Sequence, residues 1–204
     1  MQADFAVELG HDDETLAMPW AAPESGPRYY DLKRHPEFLP KLEEARRVTE
    51  LGEFLAALNS PASILETAKC DAWSSDEMNT EDEIFGAAHK FGSYVDLLFS
   101  EETVRCSFAD HERFAQRLVE LLKKAPEIPA AAEFLIRRCH YHRDGTVEEG
   151  FYITFYLFGY GEDELHARHR WAIVLKLIEN AMKQVSVGLH DGGRASSPVR
   201  IRGE

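Results

Sequence analysis

The sequence has little positive charge for its length. Its 204 residues carry 36 acidic against 23 basic side chains, which gives a net charge of −13. Sequence-independent binding to DNA or RNA needs lysine and arginine against the phosphates, so we expect no nucleic-acid partner. The same charge disfavours an anionic membrane surface, and a basic protein is the macromolecular partner that it would attract.

Cysteines are few, and long apolar runs are absent. Cys70, Cys106 and Cys139 form no CxxC pair, which argues against a zinc knuckle or a thioredoxin-like redox pair. The acidic N-terminus lacks the basic and apolar regions of a secretory signal. The longest apolar runs, such as 151–158, are too short to cross a bilayer as a helix. We therefore expect a cytoplasmic protein with no membrane contact.

The common motifs of nucleotide binding and hydrolysis are also missing. The chain contains no GxGxxG, GxxxxGK[ST], HExxH or GxSxG. We therefore predict no cofactor. The sequence does not decide between an enzyme and a binding protein.

Composition and periodicity divide the chain into four parts. We interpret 1–34 as an extended arm, 35–60 as a helical segment, 61–186 as an α+β domain and 187–204 as a disordered tail. Apolar residues at helical spacing predict the helix from Pro40 to Asn59, which Gly52 bends or divides. Three large aromatic residues would anchor the arm on the main domain: Trp20, Tyr29 and Tyr30.

The main domain contains an internal repeat. Residues 92–97 match 150–155 at an offset of 58, and 113–115 match 170–172 at an offset of 57. Cys70 and Cys139 are 69 apart, which indicates a longer hairpin loop in the first copy. The repeat halves are about 61–126 and 131–186, each predicted as strand, strand and helix.

Two such ββα units have a favoured packing. A right-handed crossover between them returns the chain to the same sheet. We predict a four-stranded antiparallel sheet of order 1-2-4-3 with both helices on one face, a permuted ferredoxin-like fold preceded by the N-terminal helical segment. Asp144-Gly145 marks the second hairpin turn.

Alternation along the strands separates two faces of this sheet. Six apolar residues should meet the helices: Val95, Leu97, Phe99, Ile153, Phe155 and Leu157. The opposite, open face should mix aromatic with charged residues. Extending the same parity through the repeat adds Thr67 and His142 to this face. Nine of its residues are our candidate ligand-binding residues: Lys69, Asp71, Trp73, Tyr94, Asp96, Arg138, His140, Tyr152 and Tyr156.

Three interpretations of the open face remain. The Pro40–Asn59 helix and the arm could cover it, a second copy could pack on it as a homodimer, or a pocket under the arm could hold a small ligand. Our leading hypothesis is a binding or regulatory protein that uses this face. The alternative is a metal-assisted hydrolase or isomerase in which His140 and His142 chelate a metal beside Asp71 and Asp96. Parity places Cys70 and Cys139 on the helix side, as buried structural residues.

Overall fold

One mixed sheet of six strands organises the protein in a computed structural model, which describes residues 1–21, 28–78, 85–143 and 145–192, with side chains as far as 186. The strands are β1 (Gln2–Glu8), β2 (Thr15–Met18), β3 (Leu65–Ser75), β4 (His89–Phe99), β5 (Ala130–Arg143) and β6 (Thr146–Gly161). They lie in the order β1-β5-β6-β4-β3, and β2 also pairs with β5. The sheet is open, and the fold is α+β.

Five α-helices and one short 3-10 helix complete the described elements. They are the 3-10 helix Pro36–Lys41, α1 (Glu43–Arg47), α2 (Thr49–Leu58), α3 (Glu102–Arg105), α4 (Phe108–Leu122) and α5 (Glu164–Gly192). None of the helices in the described part of the chain is long and apolar enough to cross a membrane.

The four strands of the main domain pair in the predicted order. β3, β4, β6 and β5 form an antiparallel run, and Arg143 of β5 pairs with Thr146 of β6. The predicted turn falls between these two residues, and Asp144 lies outside the described residues. Gly145 has φ 79°, a left-handed conformation that glycine adopts without strain. The prediction of only four strands is wrong, because two further strands extend the sheet beyond β5.

These extra strands come from the segment predicted as an extended arm. β1 pairs in parallel with Ala131–Arg137, and β2 pairs in parallel with Arg138–Tyr141. Both strands therefore lie one after the other along the same edge of β5. The N-terminal segment is therefore mostly strand and not an extended arm. An edge strand needs only one buried side, so its sequence shows a weak periodicity and the strands were not predicted.

The helical segment lies on the helix side of the sheet and not over the open face. Phe54 in α2 contacts Phe155, with ring centroids 6.0 Å apart, and Glu50 pairs with Arg168 of α5 at 2.9 Å. The predicted single helix is divided at Val48. Gly52 lies inside α2, where a Cβ would stand 3.0 Å from the Ala45 carbonyl oxygen. This glycine permits close packing of α1 on α2 and does not bend the helix.

The apolar sheet face meets α2, α4 and α5 as predicted. All six apolar residues assigned to it are buried in one large cluster with these helices. Gly159 in β6 allows α5 to approach, because a Cβ there would lie 2.4 Å from the Trp171 nitrogen. α5 runs to Gly192, beyond the predicted end near Gln184, so the predicted tail is partly helix. The remainder of that tail, 193–204, lies outside the described residues.

Candidate functional site

The open face carries seven of the nine predicted ligand-binding residues. Pairing of β3 with β4 and of β4 with β6 sets these side chains on the side opposite the helices. They are Lys69, Asp71, Trp73, Tyr94, Asp96, Tyr152 and Tyr156. Their common face follows from the period of two along each strand.

The assignment of β5 to the two faces is wrong by one residue. Cys139 and Tyr141 pack with Tyr152 in the open-face cluster, so they occupy the face predicted for their neighbours. Arg138, His140 and His142 alternate with them and point to the helix side. The predicted grouping of His140 and His142 with the two aspartates therefore does not form. We find no group of three or more His, Cys, Asp or Glu side chains that could hold a metal in the described ranges.

A bulge in β3 causes the second error of parity. Thr67 pairs with Leu97 and Cys70 with Val95, so β3 has one residue more than β4 over this interval. Thr67 therefore faces the helix side, where it hydrogen-bonds to Asn59, and Lys69 remains on the open face.

Residues 19–21 and 28–34, which we call the crossing segment, contact the open face beyond β2. The Trp20 indole Nε1 donates to the Ala68 carbonyl oxygen on β3 at 3.1 Å. Tyr29 packs against the open-face cluster that contains Tyr152. Of the three predicted anchors, Trp20 and Tyr29 thus contact the open face, and Tyr30 packs against the large cluster on the helix side. Residues 22–27 lie outside the described chain. Two cavities flank this segment.

The first of these, the aromatic cavity, has a volume of about 770 Å³. It is a size typical of small-molecule sites. Three rings line it, Trp20 and Tyr30 from the crossing segment and Tyr94 from β4. The predicted residues Lys69 and Asp71 share the wall.

Each cation in the wall of the aromatic cavity lies over a ring. Lys69 Nζ is 5.6 Å from the centroid of Trp20, and Lys41 Nζ is 4.1 Å from that of Phe38. The guanidinium of Arg28 is 5.6 Å from the Tyr30 centroid. Within the described chain, neither Arg28 nor Lys41 has a carboxylate at ion-pair distance.

The charges in this wall favour a negative ligand. Asp71 is neutralised by Arg47, whose Nη2 lies 2.9 Å from its carboxylate. Lys69 meets Glu14 only at 3.9 Å. With Asp71 paired, Arg28, Lys41 and Lys69 stand against Glu43 and Glu44. The cavity wall is therefore more positive than the chain as a whole.

The second, the arginine cavity, has a volume of about 670 Å³ and lies on the other side of the crossing segment. Its wall includes Tyr29, Glu66, Ser100, Arg105 and Tyr141. None of Tyr29, Glu66, Ser100 and Arg105 was among the candidate site residues from the sequence.

A buried polar network supports the sheet beneath Lys69. Arg137 donates to Glu8 at 2.7 Å, to Glu14 at 3.2 Å and to Thr154 Oγ1 at 3.2 Å. Thr154 in turn donates to Asp96 at 2.8 Å. The network joins β1 and the loop before β2 to the centre of the sheet, and it fixes Glu14 near Lys69.

Asp96 is the most perturbed carboxyl of this network. It is 3% exposed. Burial raises its pKa to about 6, although the hydrogen bond from Thr154 and the charge of Lys69 act in the opposite direction. Its protonation therefore changes near neutral pH, a property shared by acid–base groups and by buried structural carboxyls.

The two strand cysteines are not activated thiols. Cys70 lies on the helix side as predicted, whereas Cys139 lies on the open face. Burial raises the pKa of each to about 12, so both stay protonated at neutral pH.

Arg137, Glu8 and Glu14 are the central groups that sequence reasoning missed. Ala3, Phe5 and Val7 alternate with more polar residues, and this alternation could have predicted β1. In the structure Glu8 pairs with Arg137 and so lies on the open face. Comparison of the chain with protein families, with curated proteins and with solved structures gives no match.

Proposed function

We propose that this protein binds a small ligand in the aromatic cavity, and that the ligand is an aromatic anion. The observation on which the proposal rests is that aromatic rings and cations lie next to each other in the wall of the aromatic cavity. Trp20, Tyr30 and Tyr94 offer stacking surfaces, and Lys69, Lys41 and Arg28 offer positive charge. A planar ring bearing a carboxylate, sulfonate or phosphate satisfies both.

The preference for an anion comes from the charges of the cavity wall and not from the net charge of the chain. The chain as a whole has a net charge of −13, which repels anions at long range. An anionic ligand would therefore be selected by direct contact with the cations of the cavity. We expect modest association rates and an affinity that falls with added salt.

A matched pair of probes tests the proposal. 8-Anilinonaphthalene-1-sulfonate is an aromatic anion, and N-phenyl-1-naphthylamine is the same ring system without the sulfonate. We expect the wild-type protein to bind the sulfonate more tightly, as measured by fluorescence titration. Lys69→Gln should weaken sulfonate binding about tenfold and leave the neutral probe unchanged.

Two further variants separate the cavity from general surface binding. Trp20→Ala removes a stacking ring and should weaken both probes. Arg113→Gln removes an exposed cation on α4, far from the cavity, and should change neither. Equal affinities for the two probes, with no response to Lys69→Gln, would contradict the proposed function.

Self-association is a second candidate, favoured by the aromatic patch on the open face. Trp73 and Phe158 lie 6.1 Å apart by ring centroid, and Tyr94 and Tyr156 lie 6.0 Å apart. All four rings are half-buried. We propose that a second copy covers them in a homodimer. A monomeric mass by light scattering at micromolar concentration, unchanged in Tyr156→Glu, would count against it.

The other sequence hypotheses find less support. The metal-assisted hydrolase or isomerase needs His140 and His142 beside Asp71 and Asp96, and the β5 parity separates them. A basic protein partner rests on the net charge alone. A cytoplasmic location likewise remains a proposal.

We also propose that the main domain arose by duplication of a ββα unit, in a permuted ferredoxin-like layout. Both halves run strand, strand and helix, and α4 and α5 pack on the same sheet face. The test is to compare the two halves in homologous sequences, where the similarity between the segments equivalent to 92–97 and 150–155 should persist.

A further inference from the structure

The arginine cavity contains buried hydrogen-bonding groups that no other described residue satisfies. Arg105 donates from Nη2 to the Ser100 carbonyl oxygen at 2.9 Å, and its guanidinium lies 4.8 Å from the Tyr141 ring centroid. These contacts fix the guanidinium plane. Its Nε–H and the Ser100 hydroxyl are both buried and have no partner in the described chain.

Such groups call for an acceptor. A buried donor that loses its water without gaining a partner destabilises the fold, so native proteins rarely leave one unsatisfied. A guanidinium held by a hydrogen bond and an aromatic ring presents its Nε–H in a fixed direction, which suits an oxygen of a carboxylate. Ser100 adds a second donor to the same wall.

An unpaired carboxylate shares this cavity. Glu66 pairs with Leu98 in the β3–β4 ladder, so its side chain lies on the open face. No hydrogen bond or ion pair within 4.0 Å links it to a described residue. Burial raises its pKa, and the charge of Arg105 opposes that shift, so the two groups influence each other without touching.

The remaining charges around the cavity are largely engaged elsewhere. Lys33 Nζ donates to three carbonyl oxygens, those of Ser60, Ser63 and Leu65. Arg34 pairs with Asp31 at 3.5 Å, and Arg143 pairs with Glu102 at 2.8 Å. Glu148, opposite Tyr141 in the β5–β6 ladder, adds a second carboxylate to the wall. The groups of the wall that lack such a partner in the described chain thus include the Nε–H of one guanidinium, one hydroxyl and carboxylates, and His142 lines the cavity beside them.

We propose that the arginine cavity binds a free α-amino acid, whose carboxylate accepts from Arg105 Nε and Ser100 Oγ and whose ammonium donates to Glu66. A zwitterion with its two charges on adjacent groups bridges a guanidinium and a carboxylate that do not meet directly. It also leaves the net charge of the cavity unchanged. The rings of Tyr29 and Tyr141 border the space open to the ligand side chain.

Thermal unfolding in the presence of each of the twenty L-amino acids at millimolar concentration is the first test. At least one of them should raise the midpoint, since a ligand that binds only the folded state stabilises it. Isothermal titration then gives the affinity of the best one. Its decarboxylated amine and its N-acetyl derivative each lack one charge, and both should bind at least tenfold more weakly.

Variants assign the two ends of the ligand. Glu66→Gln should weaken the amino acid about tenfold and Ser100→Ala about fivefold, while Arg105→Lys should abolish measurable binding. Arg113→Gln is the control, because Arg113 is an exposed cation on α4 that pairs with Asp110 and does not line the cavity. It should leave binding unchanged.

The outcomes that overturn the proposal are distinct. No midpoint shift with any of the twenty amino acids would refute it, as would an affinity that Glu66→Gln and Ser100→Ala leave unchanged. Ser100→Ala removes a single oxygen, so it keeps the test valid if Arg105→Lys fails to fold. Lys69→Gln in the aromatic cavity should not affect this binding, which makes the result independent of the function proposed above.

Discussion

The two cavities flank the same crossing segment, yet one is walled by rings with cations and the other by an arginine opposed to carboxylates. Residues 28–33 of the crossing segment, of which 32 and 33 belong to a turn, contribute side chains to the two cavities alternately. Arg28, Tyr30 and Leu32 line the aromatic cavity, whereas Tyr29, Asp31 and Lys33 line the arginine cavity. One short piece of chain thus supplies walls to two sites of different chemistry.

The sites also differ in what holds them. The aromatic cavity adjoins the buried network around Arg137, through Glu14 and Lys69. The arginine cavity has no such network in the described chain, where Arg105 Nε and the Ser100 hydroxyl are buried without a partner. We infer that the first site is pre-organised, whereas the second gains its order from a ligand.

The largest expected effect is on the network behind the aromatic cavity. Arg137→Met leaves Glu8, Glu14 and Thr154 without their shared donor, so we predict a loss of about 3–5 kcal/mol in the free energy of unfolding. Urea unfolding measures it. Arg113→Met, which breaks the exposed pair with Asp110, should cost less than about 1 kcal/mol. Equal effects of the two would remove the distinction between the sites.

A pH dependence is expected from Asp96. Burial raises its pKa from 3.8 to about 6, so the folded state binds the proton more tightly than the unfolded state. Stability should therefore fall as the pH rises from about 4 to about 6. Asp96→Asn should remove this slope and stabilise the protein at pH 7 by up to about 3 kcal/mol.

The comparison for Asp96 is made at two pH values. Below about pH 4 the wild type and Asp96→Asn should have similar stability, because the carboxyl is then protonated in both states. A wild type that gains stability over the variant between pH 4 and 6 would contradict the assigned environment of Asp96.

A variant of Lys33 tests whether the crossing segment supports both cavities. Lys33→Met removes the donor to three carbonyl oxygens, and we predict a loss of about 2 kcal/mol in stability. Because the crossing segment serves both sites, the variant should also weaken both ligands. A change confined to one cavity would mean that the segment is held independently on each side.

The smallest effect is expected at Trp20. Trp20→Phe keeps the ring but removes the donor to the Ala68 carbonyl oxygen, so stability should fall by about 1 kcal/mol. Binding of the neutral aromatic probe should be nearly retained, in contrast to Trp20→Ala. Equal losses in the two variants would show that stacking on this ring is not used.

Strong alternation made part of this fold predictable. In β4 and β6 the residues that face the helices are uniformly apolar, so the two faces, the hairpins and the strand order followed from pattern and connection rules. Asp96 and Tyr94 were correctly placed for the same reason. The Pro40–Asn59 helix was recognised, but an amphipathic pattern does not say which side of a sheet it covers.

The faces of β5 could not be predicted from alternation. Phe134, Leu135 and Ile136 are all buried, because this strand is covered on both sides and so shows no alternation. The prediction of which β5 residues face the helices came from aligning Cys139 with Cys70. Because these cysteines lie on opposite faces, every β5 residue was assigned to the wrong face. The bulge at Thr67 is another feature without a sequence signal.

Cross-titration of two ligands against two variants tests the central claim most directly. Isothermal titration of the aromatic sulfonate and of the best amino acid would be run on Lys69→Gln and Glu66→Gln. We predict that Lys69→Gln weakens only the sulfonate and Glu66→Gln only the amino acid, each about tenfold. Loss of both ligands in either variant, or of neither in both, would contradict an open face that carries two separate sites.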